Sequence, residues 1–513
     1  IFVSSMVPFF FSFFTAVQLG MANGMECSKT VVTGAAPFPS GLCAKVFANG
    51  LQQPRGLFVT PGGAVLVLER GKQRVVALFD DDKDDKAELV VELASAQGLN
   101  HGLAVHGSFL YASSDTTVYR WPYTEHQRTR ITNSPVVVVR NINANGRGGA
   151  PMGHWSRTLV FDRYSNLYVS VGSEGNVDID SFRSRIRRFP MAPIASAAGG
   201  GTGEGGGGLV DPFPAGGYDF VQGEVFADGL RNEVGLAFDS TGVLWGVENG
   251  ADRLYRSDLG GDIHNDNPAE ELNRFPEADK GRFFGYPYCF TEYNIPLPST
   301  GKSSRGKSWA WPSFLAAGTH TDSWCSNSSN VLPAALAMQA HSAPLGITFY
   351  SRPNASACLS TSPAAAQLKP LPSSYQGSAF VGFHGSWNRD VPTGYKVVTV
   401  SMTSEGLVDH SQDNPKDFLR SSGPGAKWAS GLRPVDVKFD VCGRLLVSSD
   451  GTRLGGGRYT DGSVLIVGSL SNNFTCIPCP EAPTPYSSSP PASLPSYYFS
   501  SLVQIFLVIS IIS

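Results

Sequence analysis

One phrase, repeated six times, limits what this chain can fold into. A short apolar run, a turn built from Gly, Pro, Asp or Ser, and a second apolar run recur from end to end. The copies are Pro54 to Val59 with Val65 to Leu68, His101 to Val105 with Phe109 to Ala112, and Thr158 to Asp162 with Leu167 to Val171. They continue with Val234 to Asp239 and Val243 to Val247, a looser pair at Leu345 to Phe349 and Ala379 to Phe383, and Val435 to Asp440 with Arg444 to Ser448. Paired strands around tight turns, recurring with insertions of uneven length, are the pattern of propeller blades. The predicted fold is therefore all-β, a six-bladed β-propeller whose inner strands line a central channel. Composition agrees: 57 of 513 residues are glycine, aromatics are 11% and charged residues only 16%, which favours short strands and turns over coiled coil. Uneven spacing predicts long loops gathered on one face, where sites are usually built. The glycine-rich stretch Gly199 to Gly208 reads as a flexible insertion, and Asp80 to Asp85 as a solvated loop.

Outside the repeats, both ends have the character of processing signals. Residues 1–24 carry no charge and include an apolar run from Val7 to Ala16, which predicts a secretory signal peptide, incomplete at its start because no basic residue precedes the run. Residues 25–479 hold the folded domain. Residues 480–513 read as a Pro/Ser-rich spacer followed by the apolar tail Leu502 to Ile512, the arrangement of a lipid-anchor (GPI) signal. The expected location is extracellular, at the cell surface, with membrane contact only through that anchor. Eight cysteines, at 27, 43, 289, 325, 358, 442, 476 and 479, suit disulfides in such a compartment, with pairing open. Asn327, Asn354 and Asn473 are glycosylation sequons. A net charge of −3, from 40 Lys+Arg against 43 Asp+Glu, leaves no electrostatic footprint for nucleic acid.

Three polar clusters sit where packed strands have no use for them. Gly153-His154-Trp155-Ser156-Arg157 precedes the third phrase. Gly229-Leu230-Arg231-Asn232 precedes the fourth, which Glu248-Asn249-Gly250-Ala251-Asp252 follows. His384-Gly385-Ser386-Trp387-Asn388-Arg389 follows the fifth, and Gly431-Leu432-Arg433 opens the sixth. Arg55 and His101 hold matching positions in the first two. Arginine and histidine at several blade mouths predict convergence on one axial pocket suited to a planar polyanion, since guanidinium forks pair with carboxylates in bidentate fashion. Asp252, Asp262, Asp266, Glu270 and Glu271 follow as an acidic stretch; loop carboxylates and carbonyls of this kind can hold Ca²⁺, although the spacing is not an EF-hand.

At these residues the sequence resembles the soluble pyrroloquinoline-quinone (PQQ) sugar dehydrogenases, the glucose/sorbosone dehydrogenase family, and within it the pyranose dehydrogenase type. Gly153-His154-Trp155-Ser156-Arg157-Thr158-Leu159, Gly229-Leu230-Arg231-Asn232, Glu248-Asn249-Gly250, Phe284-Gly285-Tyr286-Pro287-Tyr288-Cys289 and His384-Gly385-Ser386-Trp387-Asn388-Arg389 carry the likeness. It implies oxidation of a sugar (a pyranose, sorbosone or a related aldose or ketose) by His-assisted hydride transfer to PQQ, with Ca²⁺ beside the cofactor and electrons passed to an external acceptor such as a cytochrome. By that resemblance His154 is the catalytic base. Arg55, Arg231, Asn232, His384, Asn388, Arg389 and Arg433 contact the cofactor, and Gly250, Ala251 and Asp252 serve the metal. Two departures stand out: Ser173 replaces an aspartate that assists the histidine in bacterial glucose dehydrogenases, and Val435 replaces a second arginine.

The chemistry is consistent with this assignment. Oxidising a C–OH group needs a base and a hydride acceptor, and no side chain accepts hydride. No G-x-G-x-x-G follows a strand here, so a nicotinamide fold is excluded. The competing class is a non-catalytic extracellular propeller that binds protein or glycan. A calcium-dependent lactonase fits less well, because the phrases offer Arg and His rather than converging carboxylates.

Overall fold

The protein is described by a computed structural model covering residues 42–142, 153–180, 182–192, 194–195, 209–295, 303–353, 368–420, 426–427, 431–451 and 462–469. The signal and tail segments, four of the eight cysteines (27, 358, 476 and 479), two sequons and the Gly199–Gly208 insertion lie outside these residues.

All six phrases form the two innermost strands of six blades, antiparallel except that a short fifth strand, Tyr218–Asp219, pairs parallel on the outside of the second. Blade 1 runs Pro54–Val59, Val65–Glu69, Arg74–Phe79, Leu89–Ser95; blade 2 runs Leu103–His106, Phe109–Ser113, Val118–Pro122, Val136–Arg140. Blade 3 runs Leu159–Phe161, Asn166–Val171, Arg185–Pro190, Glu224–Asp228; blade 4 runs Glu233–Phe238, Leu244–Glu248, Glu270–Phe275, Leu336–Met338. Blade 5 runs Pro344–Phe349, Ala379–Phe383, Lys396–Val400, Lys416–Leu419. Blade 6 takes only three strands from its own stretch, Pro434–Phe439, Leu445–Ser449 and Gly462–Ser469; the fourth is the first described strand, Leu42–Leu51. The chain thus closes its own ring, and neither end strand is left as an unpaired edge.

The hairpin turns are made by the same device in three blades. Asp162, Asp239 and Asp440 each accept backbone N–H groups from two and four residues ahead. Their second oxygens take Tyr168, Trp245 and Arg444 respectively. Between blades the packing is apolar: Trp245, Val247 and Leu272 of blade 4, for example, pack on Ile347, Val381 and Phe383 of blade 5.

Around the axis the inner strands nearly touch. A Cβ on Gly56 would lie 2.2 Å from the carbonyl oxygen of His101, and one on Gly102 only 2.1 Å from that of Arg157. Gly235 faces Gly346, which in turn faces Asp436. The two remaining blades fill this position with small polar residues that bond the neighbour: Thr158 Oγ1 donates to the Val234 carbonyl, and Asp436 accepts from Leu57 N–H at 2.9 Å.

Two expectations change. The insertions are not confined to one face. Those after second strands (172–184, 249–269, 384–395) begin at the end where inner strands start, here the upper face; those after third strands (123–135, 276–335, 401–415) begin at the lower. The longest, 276–335, is braced by the Cys289–Cys325 disulfide. Within the acidic loop Asp80 to Asp85, Asp85 is fully buried, paired with Lys45 at 2.8 Å and with Arg444, so it ties the loop to blade 6. Among the described residues no helix is long and apolar enough to cross a membrane.

The axial packing yields a prediction. Gly56→Ala forces a methyl against a backbone oxygen and should lower unfolding free energy by about 1–3 kcal/mol, read by denaturant titration. Gly175→Ala, with nothing within 4 Å of the new methyl, should leave it unchanged.

Candidate active site

Each inner strand starts at the upper face, so the residues just before it stand around the channel mouth. Gly229, at φ +72°, turns the chain there; a Cβ would meet the Phe283 ring at 2.4 Å, so only glycine brings Leu230-Arg231-Asn232 into place. The resulting cavity has a volume of about 330 Å³. His154, Arg55, Arg231, Asn232, His384, Asn388, Gly250 and Asp252 line it. Eight of the eleven residues expected at the site therefore meet in one place.

His154 is held by one ring nitrogen. Its Nδ1 lies 2.9 Å from the Ser173 carbonyl oxygen and 3.0 Å from Ser173 Oγ, whose own hydroxyl donates to the Gly175 carbonyl. Nδ1 therefore carries the proton, and Nε2 keeps its lone pair without a partner among the described residues. Ser173 orients the imidazole through its backbone as well as its side chain, so the missing aspartate leaves the ring no less fixed. Burial, then the nearby Arg231 guanidinium, push His154 down to about 3. The imidazole is neutral across the physiological range. Gly172 makes the geometry possible: a Cβ there would sit 2.5 Å from Asn232 Oδ1 and 2.7 Å from His154 Cβ.

Arg231 is the hub of the opposite wall. It donates to the Gly250 carbonyl at 2.7 Å and the Asn249 carbonyl at 3.2 Å, reaches Asn176 Oδ1 at 3.1 Å and pairs with Asp252 at 3.0 Å. Asn388 donates to Asp252 Oδ1 and, at 3.2 Å, to His341 Nδ1, while its own Oδ1 is buried without a partner. Glu270 backs this wall, accepting from Gly250 N–H at 2.7 Å and Ala343 N–H at 2.9 Å, and burial raises it to about 8. Across the mouth, Asp450 bridges Arg55 and His384 at 2.9 Å each. Burial favours the neutral Asp450 acid, but His384 and Arg55 outweigh it and hold the carboxyl below the usual range.

Three expected residues stand elsewhere. Ala251 lines an adjacent void of about 20 Å³. Arg389 pairs with Asp266 at 3.0 Å. Arg433 donates to the His384 and Gly385 carbonyls from behind the loop. His101 does not share the pocket with Arg55: the two touch, Arg55 Nε donating to His101 Nδ1 at 3.4 Å, but His101 faces a separate cavity at the lower end. Trp155, His341 and Glu270 also line the upper cavity, and Asp450 braces it, without having been assigned roles. His341 lies directly ahead of the fifth phrase, as Arg231 and Asn232 do ahead of the fourth, and that placement was its available signal.

A six-bladed propeller with an oriented neutral histidine and a polar, oxygen-rich cavity at its axis defines a class of enzyme-like propellers. Residues 36–454 match the TrAA12-like family, and the chain belongs to it, the family of AA12 PQQ-dependent pyranose dehydrogenase-like proteins. It is 29% identical over 451 residues to the pyrroloquinoline quinone-dependent pyranose dehydrogenase of Coprinopsis cinerea, matching 82% of this chain and 53% of that protein. The chain therefore spans about half the length of that relative. Among solved structures, the holo form of the Coprinopsis cinerea pyranose dehydrogenase PQQ domain superposes with a TM-score of 0.65 at 26% identity, over 87% of this chain and 99% of that one. The calcium structure of a Trichoderma reesei family AA12 protein gives 0.65 at 27% identity, over 86% and 97%.

The His154 environment predicts its titration. With its pKa lowered by burial, the ring should stay neutral, as the Nδ1–H tautomer, from pH 8 down to pH 5. Nitrogen NMR of labelled protein reads this directly, and protonation near the unperturbed value of about 6.5 would contradict it.

Proposed function

We propose that the protein is a PQQ- and calcium-dependent sugar dehydrogenase, oxidising a pyranose or related sugar with His154 as base. The observation that carries this is the His154 imidazole, locked at Nδ1 by Ser173 with its Nε2 lone pair free at the cavity. The relatives' names support the same reading.

The residues present fit both groups. Asn388 Oδ1, buried and unpartnered, offers a free acceptor. The Gly250 carbonyl, the Asp252 carboxylate and Asn388 Oδ1 form an all-oxygen set of the kind a hard cation takes. Arg55, His384 and Asn232 would hold the polar edge of a flat quinone, with Trp155 as a wall. When bound, PQQ and its calcium ion supply the two-electron acceptor and Lewis acid that side chains cannot.

The protein's own part is positioning and proton transfer. Trp387, 72% exposed at the cavity rim, presents a flat apolar face to a sugar ring. His154 Nε2 takes the hydroxyl proton as the carbon is oxidised, and the Ser173 carbonyl stabilises the imidazolium so formed. Arg231 keeps the Gly250 carbonyl and Asp252 aligned. Electrons then leave to an external acceptor. Secretion to the cell surface, with a lipid anchor replacing the apolar tail, completes the proposal.

The test uses apoprotein titrated with PQQ in calcium buffer. His154→Asn should bind PQQ nearly as well as the parent, yet lose roughly 10² to 10⁴ in turnover, the worth of a positioned base. Arg231→Ala should instead weaken PQQ uptake, because Asp252 and the Gly250 carbonyl lose their common donor. Failure of the parent protein to bind PQQ would leave the non-catalytic propeller.

A further inference from the structure

The lower end of the channel holds a cavity of about 600 Å³, larger than the one around His154. Leu345 lines both; with Val234 and Val435 it forms an apolar plug between them. The lower cavity takes no part in the chemistry above, and its volume lies in the range of small-molecule sites.

Its lining has a definite chemistry. Phe58, Phe161, Phe238 and Phe439, from blades 1, 3, 4 and 6, contribute aromatic walls. Phe161 is held in place by a parallel stack on His106, 4.3 Å between centroids. His101 is a buried polar group here, only 3% exposed, and the buried Asp436 is a second. Its Nδ1 accepts from Arg55, so its proton is on Nε2, and that N–H has no partner among the described residues. Burial, then the Arg55 charge, hold the ring neutral. Three of the four charged side chains that line it are engaged, and the fourth, the exposed Arg163, donates to the Tyr164 hydroxyl. Asp162 accepts from Tyr164 and Asn166 N–H and from Tyr168, while Lys438 pairs with Asp436 at 2.9 Å.

We propose that the lower cavity is a second ligand site, taking a flat aromatic molecule whose hydroxyl or carbonyl oxygen accepts from His101 Nε2–H. An unbonded neutral donor buried beneath aromatic walls favours an uncharged oxygen over a carboxylate, whose burial beside it would go uncompensated.

The probe is 2-naphthol, followed by its own fluorescence, on full-length protein with and without bound PQQ. Saturable binding that PQQ loading leaves unchanged is expected. Thr348→Trp, which places an indole in the lower cavity only, should weaken it at least tenfold while sugar oxidation is kept. His101→Phe, which keeps a flat ring but removes the donor, should weaken it several-fold more than it weakens naphthalene. Absence of binding, competition by PQQ, or full affinity in a folded Thr348→Trp protein would each overturn the proposal.

Discussion

Six strands start around one axis so closely that one position of each takes either no side chain or a small polar one bonded to its neighbour. That crowding organises the molecule. Gly56, Gly102, Gly235 and Gly346 meet it by having no Cβ; Thr158 and Asp436 meet it by bonding the neighbouring backbone. Because the six inner strands are held backbone to backbone, the segments just ahead of them are fixed at the channel mouth.

The site depends on this rigidity. His154 reaches it from the approach to blade 3, Arg231 from blade 4, Asn388 and His384 from the loop after the second strand of blade 5, and Asp450 from blade 6. No local element could assemble them. Arg231 shows how the wall is kept in place: its five contacts reach three carbonyls, one amide oxygen and one carboxylate on two separate segments. A buried arginine with so many partners is a positioning device first, and its charge also keeps the adjacent His154 unprotonated.

The axis also divides the molecule chemically. In blades 1 to 3 the residue before the crowded position is Arg55, His101 or Arg157; in blades 4 to 6 it is Val234, Leu345 or Val435. The apolar half forms the plug, and the basic half sends its side chains in different directions. Arg55 turns up toward Asp450, His101 turns down, and Arg157 spends its donors on the carbonyls of Asp115, His154 and Ser156. Equal phase in the sequence therefore did not mean a shared pocket.

The inner hairpins were legible because all but the interrupted fifth carry their apolar pattern and turn residues within 15 positions. The outer strands were not. Val136–Arg140 and Glu224–Asp228 have weaker alternation, and the closure of blade 6 by Leu42–Leu51 is a pairing across the whole chain that no local pattern encodes. The phrases around His154, Arg231 and Asn388 marked the upper cavity, since polar residues at strand ends have no packing reason to be there. Asp450 lies in no such phrase and became visible only through its partners, while His341 was marked by nothing but its place ahead of the fifth phrase. The sequence by itself determined a six-bladed propeller and the segments from which its site is drawn, because strand propensity and turn chemistry are local. Which way Arg55 and His101 point, which carbonyls Arg231 holds, and that the channel has two chambers were decided only by tertiary structure. Those outcomes depend on strand twist and on contacts between residues up to 395 positions apart.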